Sequence, residues 1–398
     1  MTDDIIDEAL YGTSIFTDET TFFHGWVPPK LPHREKEIQT IAQNYRPLFT
    51  NAASMGGVSA NIAVIGSAGV GKSASVRYTV KTLVEKAKNQ GINIYADYRN
   101  CWINRTRSAV LRGLLRDKFG ISIRGFGSEE AVDVLIRRLS SEDAYMILIL
   151  DEVSVLPQAD VESFLHLTEE FGAKHRFSVI MISRPTEWKT VLISPEISQR
   201  ISDVIYFRPY TRKMIFEILE YRASLAFKPT AYSEEILEMI ADISASTQNI
   251  RHGIEILHRA GRIADRTDVS EIDPEMVRMA RVSVYPEMRP EVLHDLIQHE
   301  LYILLAVTRI LLAKSFTATT VSDAYEDYKL VCEEYDEKIA DKSKFNEYIE
   351  SLETLGIISL LDSKRSTTGD KKRITIHDVP AAILKERTET RLSEYDEQ

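Results

Sequence analysis

An α/β domain with a parallel sheet, then an all-helical domain, then a C-terminal domain of helices closed by a β-ribbon is the fold class this sequence predicts. Three observations predict it. Apolar, β-branched runs alternate with amphipathic helical stretches as far as residue 207; helical periodicity alone runs from 212 to 281; and, past two prolines, three helical patterns end in a polar-tipped hairpin pattern.

The elements follow in order. Asn61–Gly66 is a short apolar run that stops at glycine, and Ser73–Lys88 after it is helical in pattern, so strand, tight loop and helix succeed one another. Strand patterns recur at Ile92–Tyr98, Met146–Leu150 and Phe177–Ile182, with helical stretches Thr106–Phe119 and Glu129–Ser140 between them, and Ile201–Phe207 is the last. These strands are apolar at nearly every position, as expected where helices cover both faces of a sheet. From Arg212 to Arg281 the pattern is amphipathic helix, broken near Pro229 and around Thr267–Pro274. Pro286 and Pro290 bound an aperiodic linker. Helices are then predicted over Pro290–Ala313, Val321–Glu337 and Ser343–Leu355, Gly356 as a stop, and strands over Ile357–Leu361 and Arg373–His377 around a polar tip. Helices followed by a β-ribbon read as a winged helix. The expected division is an acidic N-terminal tail over 1–25, the α/β domain over 26–211, the helical domain over 212–284, a linker over 285–290, the winged helix over 291–385 and a polar tail over 386–398.

Bulk properties narrow the function. The 398 residues suit two or three domains, and 44% hydrophobic with 27% charged residues is ordinary globular composition. With 49 Lys+Arg against 60 Asp+Glu the chain carries −11, so contact with nucleic acid requires a local basic patch. Cys101 and Cys332 make neither a disulfide framework nor a zinc motif, which favours a reducing cytoplasm. The acidic start is no secretory signal, and Leu301–Ala313 is too short to cross a hydrocarbon core of about 30 Å, so a soluble protein with no membrane partner is expected.

Gly66-Ser67-Ala68-Gly69-Val70-Gly71-Lys72-Ser73 matches the phosphate-binding loop G-x-x-x-x-G-K-[ST] between a strand and a helix, as that motif requires. Glycines let backbone amides curl around phosphate oxygens, and the helix N-terminus adds its positive end. Lys72 would reach the β- and γ-phosphates and Ser73 would ligate Mg2+. Downstream, the strand Met146–Leu150 ends in Asp151-Glu152. There Asp151 would hold Mg2+ through its water shell, while Glu152 would polarise the attacking water.

Trp26-Val27-Pro28-Pro29-Lys30-Leu31-Pro32-His33-Arg34-Glu35 resembles the opening segment of archaeal origin-recognition and cell-division-control type replication initiators, a clade of AAA+ ATPases. Tyr95–Arg99 is similar to that family's second strand, Ile149–Glu152 to its Walker B element and Phe207–Thr211 to its junction into the lid; Arg222-Ala223, Ala226-Phe227, Ile250–Leu257 and Ala260–Ala264 also fit. The resemblance runs from about Trp26 to His377 and implies an AAA+ P-loop parallel-sheet domain, a helical lid domain and a winged-helix DNA-binding domain. It implies ATP or ADP held by Gly66, Ser67, Ala68, Gly69, Val70, Gly71, Lys72, Ser73 and Ala74, with Tyr210, Arg222 and Arg251, the last reaching the γ-phosphate from the lid.

Two places depart from the family. The sensor-1 position, usually Asn, holds Ser183 or Arg184. In the arginine-finger region Glu196 replaces the first arginine, leaving Arg200 either as a finger on a neighbouring subunit or as a salt-bridge partner. Hydrolysis is therefore expected to be slow, with Glu152, Lys72, Arg251 and Arg200 as the catalytic set.

The expected DNA contacts are Lys342 and Lys344 on the third helix of the winged domain and Lys364, Arg365, Lys371, Lys372 and Arg373 in the wing, a hairpin of five cations and one acid. Arg99, Arg105, Arg107, Arg112, Arg116 and Arg124 form a weaker second patch. The resemblance implies an ATP-regulated initiator that binds duplex origin DNA, helps recruit or load the replicative helicase, meets other initiator subunits and resides in the cytoplasm at the nucleoid. Two alternatives stay open: a signalling or remodelling ATPase whose winged helix binds protein, and an initiator paralogue that modulates origin firing.

Overall fold

The structure is a computed structural model and describes residues 13–23, 25–50, 60–122, 127–170, 176–191, 194–284, 296–313, 316–355, 357–362, 372–376 and 379–396. It divides into two compact units, one of residues 25–214 with 248–250, the other of residues up to 24 with 215–247 and 251–398.

The first unit holds α1 (Glu35–Asn44), β1 (Ile62–Gly66), α2 (Lys72–Asn89), β2 (Asn93–Asn100), α3 (Arg107–Phe119), α4 (Ser128–Ser141), β3 (Ala144–Asp151), α5 (Gln158–Glu170), β4 (Phe177–Ser183), α6 (Pro185–Val191), α7 (Pro195–Gln199) and β5 (Asp203–Phe207). Each expected strand forms, its ends shifted by a residue or two. The five strands lie in the order β2-β3-β4-β1-β5 and every pairing is parallel. Alternate residues feed two cores: Ala63, Ile65, Leu148, Leu150 and Met181 face one, and Ile62, Val64, Ile147, Ile149 and Ile182 the other. Burial on both faces explains the unbroken apolar runs. Because β1 lies between two later strands, the sheet reverses its winding there, and such switch points leave a crevice at the strands' carboxyl ends. Register brings Gly66 beside Phe207 and Ile65 beside Ser183 at that edge, with Asp151 opposite Ile182.

In the second unit, α8 (Arg212–Ala226, its first turn belonging to the first unit), α9 (Glu234–Thr247), α10 (Ile250–Arg266, its first residue belonging to the first unit) and α11 (Pro274–Val284) form the helical domain. The winged domain holds α12 (Gln298–Ala313), β6 (Thr319–Thr320), α13 (Val321–Glu334), α14 (Lys342–Thr354), β7 (Ser359–Asp362), β8 (Lys372–Thr375) and α15 (Ala381–Asp396). Leu301 through Val307 are all buried, so this apolar run is a core helix.

Several sequence expectations change. The N-terminal stretch is not all tail: Phe16 bridges to and stacks on Phe227, Ile15 is buried, and the Ser14 hydroxyl and Ile15 amide donate to Asp265 at 2.7 and 2.8 Å. The expected polar tail over 386–398 is largely helix, because Leu384, Thr388 and Leu392 recur every fourth residue and are buried among charged neighbours that hide the pattern. A two-residue strand, β6, adds to β8 and is too short for a sequence signal. Helix α13 stops at Glu334, followed by Asp336 in a left-handed conformation (φ 52°). The expected linker and the start of the Pro290–Ala313 helix lie outside the described residues.

The helical and winged domains are bolted together. Arg278 of α11, 1% exposed, donates to the carbonyls of Ile376 at 3.1 Å and Phe316 at 3.0 Å, which flank the ribbon's root. Glu275 pairs with Arg278 at 3.2 Å and accepts from the amides of Ala381 and Ala382 at 3.1 and 3.0 Å, capping α15.

Candidate functional site

The phosphate loop joins β1 to α2 through two glycines that need a left-handed backbone, Gly69 (φ 71°) and Gly71 (φ 85°). Gly71 is the N-cap of α2 and supplies no side chain to its first-turn amides. Space enforces glycine as well as conformation does: a Cβ on Gly66 would lie 2.8 Å from the Phe207 carbonyl, and one on Gly69 1.7 Å from Asn249 Oδ1. The buried Lys72 folds across the loop and donates to the carbonyls of Gly66 at 2.6 Å and Ser67 at 2.7 Å. Ser67 and Ala68 are exposed at the rim, Val70 is buried, and Ser73 and Ala74 are half-buried in the first turn of α2.

The carboxylates expected at the end of β3 are there. Asp151 is 6% exposed and accepts the Tyr98 hydroxyl at 2.6 Å and the Glu152 amide at 3.0 Å. Glu152 takes a left-handed backbone, φ 55°, uncommon for a residue with a Cβ. Burial pushes its carboxyl above the usual range; the Arg184 guanidinium 3.8 Å away opposes the rise and Asp151 adds to it. Arg184 also faces Glu187 at 3.7 Å, while Ser183 is buried with its hydroxyl on the Arg184 carbonyl at 3.3 Å. At the sensor-1 position the charged side chain thus meets Glu152. A buried carboxylate fixed by two donors beside a glycine-lined loop and a helix N-terminus suits Mg2+ with a nucleoside triphosphate, Ser73 and Asp151 being the side chains that would hold the ion.

The remaining expected residues separate. The Tyr210 hydroxyl lies 2.7 Å from where a Gly71 Cβ would stand, so this side chain does meet the loop. Arg222, expected at nucleotide, is instead half-buried on α8 and donates to the Thr21 carbonyl of the N-terminal stretch, and its partial burial lowers its pKa to about 10. Arg251 is exposed on the first turn of α10 in the second unit. Arg200 ends α7 and donates to the Glu196 carbonyl at 2.9 Å. Sequence reasoning assigned nothing to Tyr98, which orients Asp151, to Asn249, or to Arg34, whose partners Val70 and Tyr210 lie far along the chain. The Arg34-Glu35 pair was visible only as part of a family resemblance.

On the winged domain, Lys342 is exposed at the start of α14, whereas Lys344 is tied to Glu347 at 2.5 Å. Lys372 is exposed on β8. Arg373 is half-buried, with Nη2 donating to the Ala318 carbonyl at 2.8 Å, so one arm of its guanidinium joins the ribbon to β6 instead of reaching outward. Lys364, Arg365 and Lys371 lie outside the described residues. Of the weaker arginine patch, Arg99 is buried against Asp97 at 2.5 Å and Asp117 at 2.9 Å, which removes it as a surface contact; Arg107 pairs with Glu129, Arg116 with Asp117, and Arg124 lies outside the described residues. Among the described residues no helix is long and apolar enough to cross a membrane, and no cluster of three or more His, Cys, Asp or Glu could hold a metal ion.

A parallel five-stranded sheet with this loop, a helical lid and a terminal winged helix make up the architecture of an AAA+ ATPase. Family models agree along the chain: an AAA domain matches residues 58–192, a Cdc6 AAA+ ATPase-type lid domain 216–282, and a CDC6 C-terminal winged helix domain 291–386. The ORC1-type DNA replication protein of Pyrococcus furiosus is 26% identical over 384 residues, spanning 94% of this chain and 90% of that protein; ORC1-type DNA replication protein 1 of Archaeoglobus fulgidus is 26% identical over 360 residues, 89% and 86%. The crystal structure of Cdc6p from Pyrobaculum aerophilum superposes with a TM-score of 0.82 at 28% identity over 96% of this chain and 100% of that one. The Aeropyrum pernix ORC1 protein in complex with DNA shares the fold, with a TM-score of 0.61 at 23% identity over 95% and 97% of the two chains. Its lid and winged helix both match Cdc6-type domains, and over nearly its whole length the chain is similar to ORC1-type DNA replication proteins.

Proposed function

We propose that this protein binds ATP and Mg2+ in the loop between β1 and α2, binds duplex origin DNA with its winged helix, and uses slow hydrolysis as a switch while helping to recruit or load the replicative helicase. The observation that carries the reading is the meeting, at one edge of the sheet, of the glycine loop, Lys72, and the Asp151-Glu152 pair. Bound Mg2+ would neutralise charge on the β- and γ-phosphate oxygens. Amides of residues 67–74 cradle the phosphates, and Lys72 leaves the Gly66 and Ser67 carbonyls for phosphate oxygen. Glu152 accepts the proton of the attacking water, and its raised pKa makes it a stronger base but places the acid limb of the rate above that of an ordinary glutamate. Arg184 at 3.8 Å draws the same carboxylate away from that task, which supports slow turnover. Arg251 serves as the lid's phosphate sensor and Arg200 as a finger toward a neighbouring subunit; Tyr210 packs on the phosphate loop, and Arg222 braces the lid.

On DNA, Lys342 and Lys344 face the major groove, and Lys364, Arg365, Lys371 and Lys372 follow the backbone, while Arg373 braces the root of the ribbon. A DNA-bound neighbour of the same fold supports this. The Lys344–Glu347 pair, with Glu350 also exposed on α14, favours a second reading in which the winged helix binds protein. Titration with a fluorescent ATP analogue separates the parts: the wild type should bind with Mg2+, Lys72→Ala should not, and Glu152→Gln should bind but not hydrolyse. A wild type that binds no nucleotide would overturn the reading.

A further inference from the structure

Arg34 is 4% exposed and carries no role in the reading above. Its guanidinium forks onto a single backbone oxygen of the phosphate loop: Nε and Nη2 donate to the Val70 carbonyl at 3.1 and 2.8 Å. Nε also donates to the Tyr210 hydroxyl at 2.8 Å, Nη2 to the Arg208 carbonyl at 2.8 Å, and Nη1 to Glu37 at 2.7 Å. The group is stacked 3.9 Å from the Tyr210 ring centre and 5.0 Å from that of Phe207. Three segments distant in sequence therefore meet on one cation: the start of α1, the phosphate loop, and the end of β5, from which the chain runs into the lid helix α8. A fork of this kind is specific to arginine, since lysine offers a point charge without paired, coplanar donors.

The geometry of a peptide gives the contact its consequence. The peptide unit is planar and no described bond is cis, so a carbonyl and the following N–H point in opposite directions. With the Val70 carbonyl turned to Arg34, the Gly71 amide is turned away from it. Gly71 has φ 85° and no side chain, so nothing local holds this peptide plane. We propose that Arg34 is a positioning residue that fixes the Val70–Gly71 peptide with its N–H directed into the phosphate-binding hollow, and that it ties this orientation to Arg208–Tyr210 at the root of the lid helix. Occupation of the loop by a triphosphate and the setting of the lid root are then coupled through one side chain. The inference rests on the nucleotide reading and names how that site is organised.

Val70–Gly71 is the only Val-Gly step in the chain, so protein labelled with 13C at valine carbonyls and 15N at glycine yields a single correlated amide signal, belonging to Gly71. In the wild type this signal should shift on addition of ATP and Mg2+. In Arg34→Gln the free-state signal should move, its response to ATP should be lost, and nucleotide affinity should fall about tenfold, the loss expected for one buried charged hydrogen-bonding anchor. Arg34→Lys should not restore either, because charge without the fork leaves the peptide unheld. Tyr210→Phe, which keeps the Val70 fork, should leave the free-state signal in place, and the Arg34→Gln/Tyr210→Phe double variant should be no weaker than Arg34→Gln. A free-state signal unmoved in Arg34→Gln, or wild-type behaviour in Arg34→Lys, would overturn the proposal whether or not ATP binds. A wild-type signal that moves in Arg34→Gln yet never responds to ATP would leave the orientation standing and overturn the nucleotide reading and the coupling.

Discussion

The phosphate loop and the DNA face of the winged helix are determined by local sequence to different degrees. The loop Gly66–Ser73 is contiguous, works through backbone, and is correct once its strand and helix form. The DNA face depends on where long charged side chains end, and neighbours decide that: Lys344 is held by Glu347, and Arg373 by the Ala318 carbonyl. A motif made of main chain is legible in sequence, whereas a patch made of charge is legible only as far as its counter-charges are known.

The sharpest way to break the comparison is at the loop. Lys72→Ala should reduce affinity for ATP more than a hundredfold, measured by fluorescent-analogue titration, without changing duplex binding of the nucleotide-free protein by more than about twofold. A large loss of both would mean that the two regions are not separable.

Next in size is the bolt at Arg278. Removing this buried guanidinium leaves Glu275 and the carbonyls of Ile376 and Phe316 without it, so Arg278→Ala should cost about 3 kcal/mol of stability by denaturant unfolding. Intact nucleotide affinity in that variant would show that the two regions fail independently.

A smaller effect distinguishes the two cations of β8. Lys372→Ala should flatten the dependence of log affinity on log salt by about 0.9, the loss of one phosphate contact. Arg373→Ala should instead lower stability by about 1 kcal/mol with less change in the slope, because its hydrogen bond is internal. Equal changes of slope in both would restore Arg373 to the DNA face.

These variants also show why part of the molecule was hidden. The individual strands, their alternation with helices along the chain and the Asp151-Glu152 pair could be read because each is a pattern among residues close in sequence. Arg34, Tyr98 and Asn249 could not, since each meets the site only after the sheet has brought distant segments together. The part of α15 beyond residue 385 reads as tail in the sequence because Leu384 and Leu392 are thinly spread among charges, and the N-terminal segment reads as tail because of its acids.

The smallest effect concerns that N-terminal segment. Glu19 receives His258 at 2.7 Å and Arg262 at 2.5 Å, and Phe22 stacks on His258. Burial alone would raise the Glu19 carboxyl, but the hydrogen bonds from Arg262 and His258 outweigh it and hold it below 4.5. A depressed carboxyl stabilises above its unfolded value and loses that stabilisation as pH falls through the folded value. Amide exchange of residues 14–22 should therefore quicken as pH falls below 4.5, after correction for intrinsic rates, and less so in Glu19→Gln. An equal response in both would remove this contact from the account.

The most direct test of the central claim is duplex-DNA affinity measured across a salt series with ATP and Mg2+, for the wild type and for a variant with Lys364, Arg365, Lys371, Lys372 and Arg373 changed to alanine. The account predicts that log affinity of the wild type falls steeply and linearly with log salt, and that the variant binds more weakly with a shallower slope. A wild-type affinity indifferent to salt, or the same slope in both proteins, would contradict it and transfer the winged helix to a protein partner.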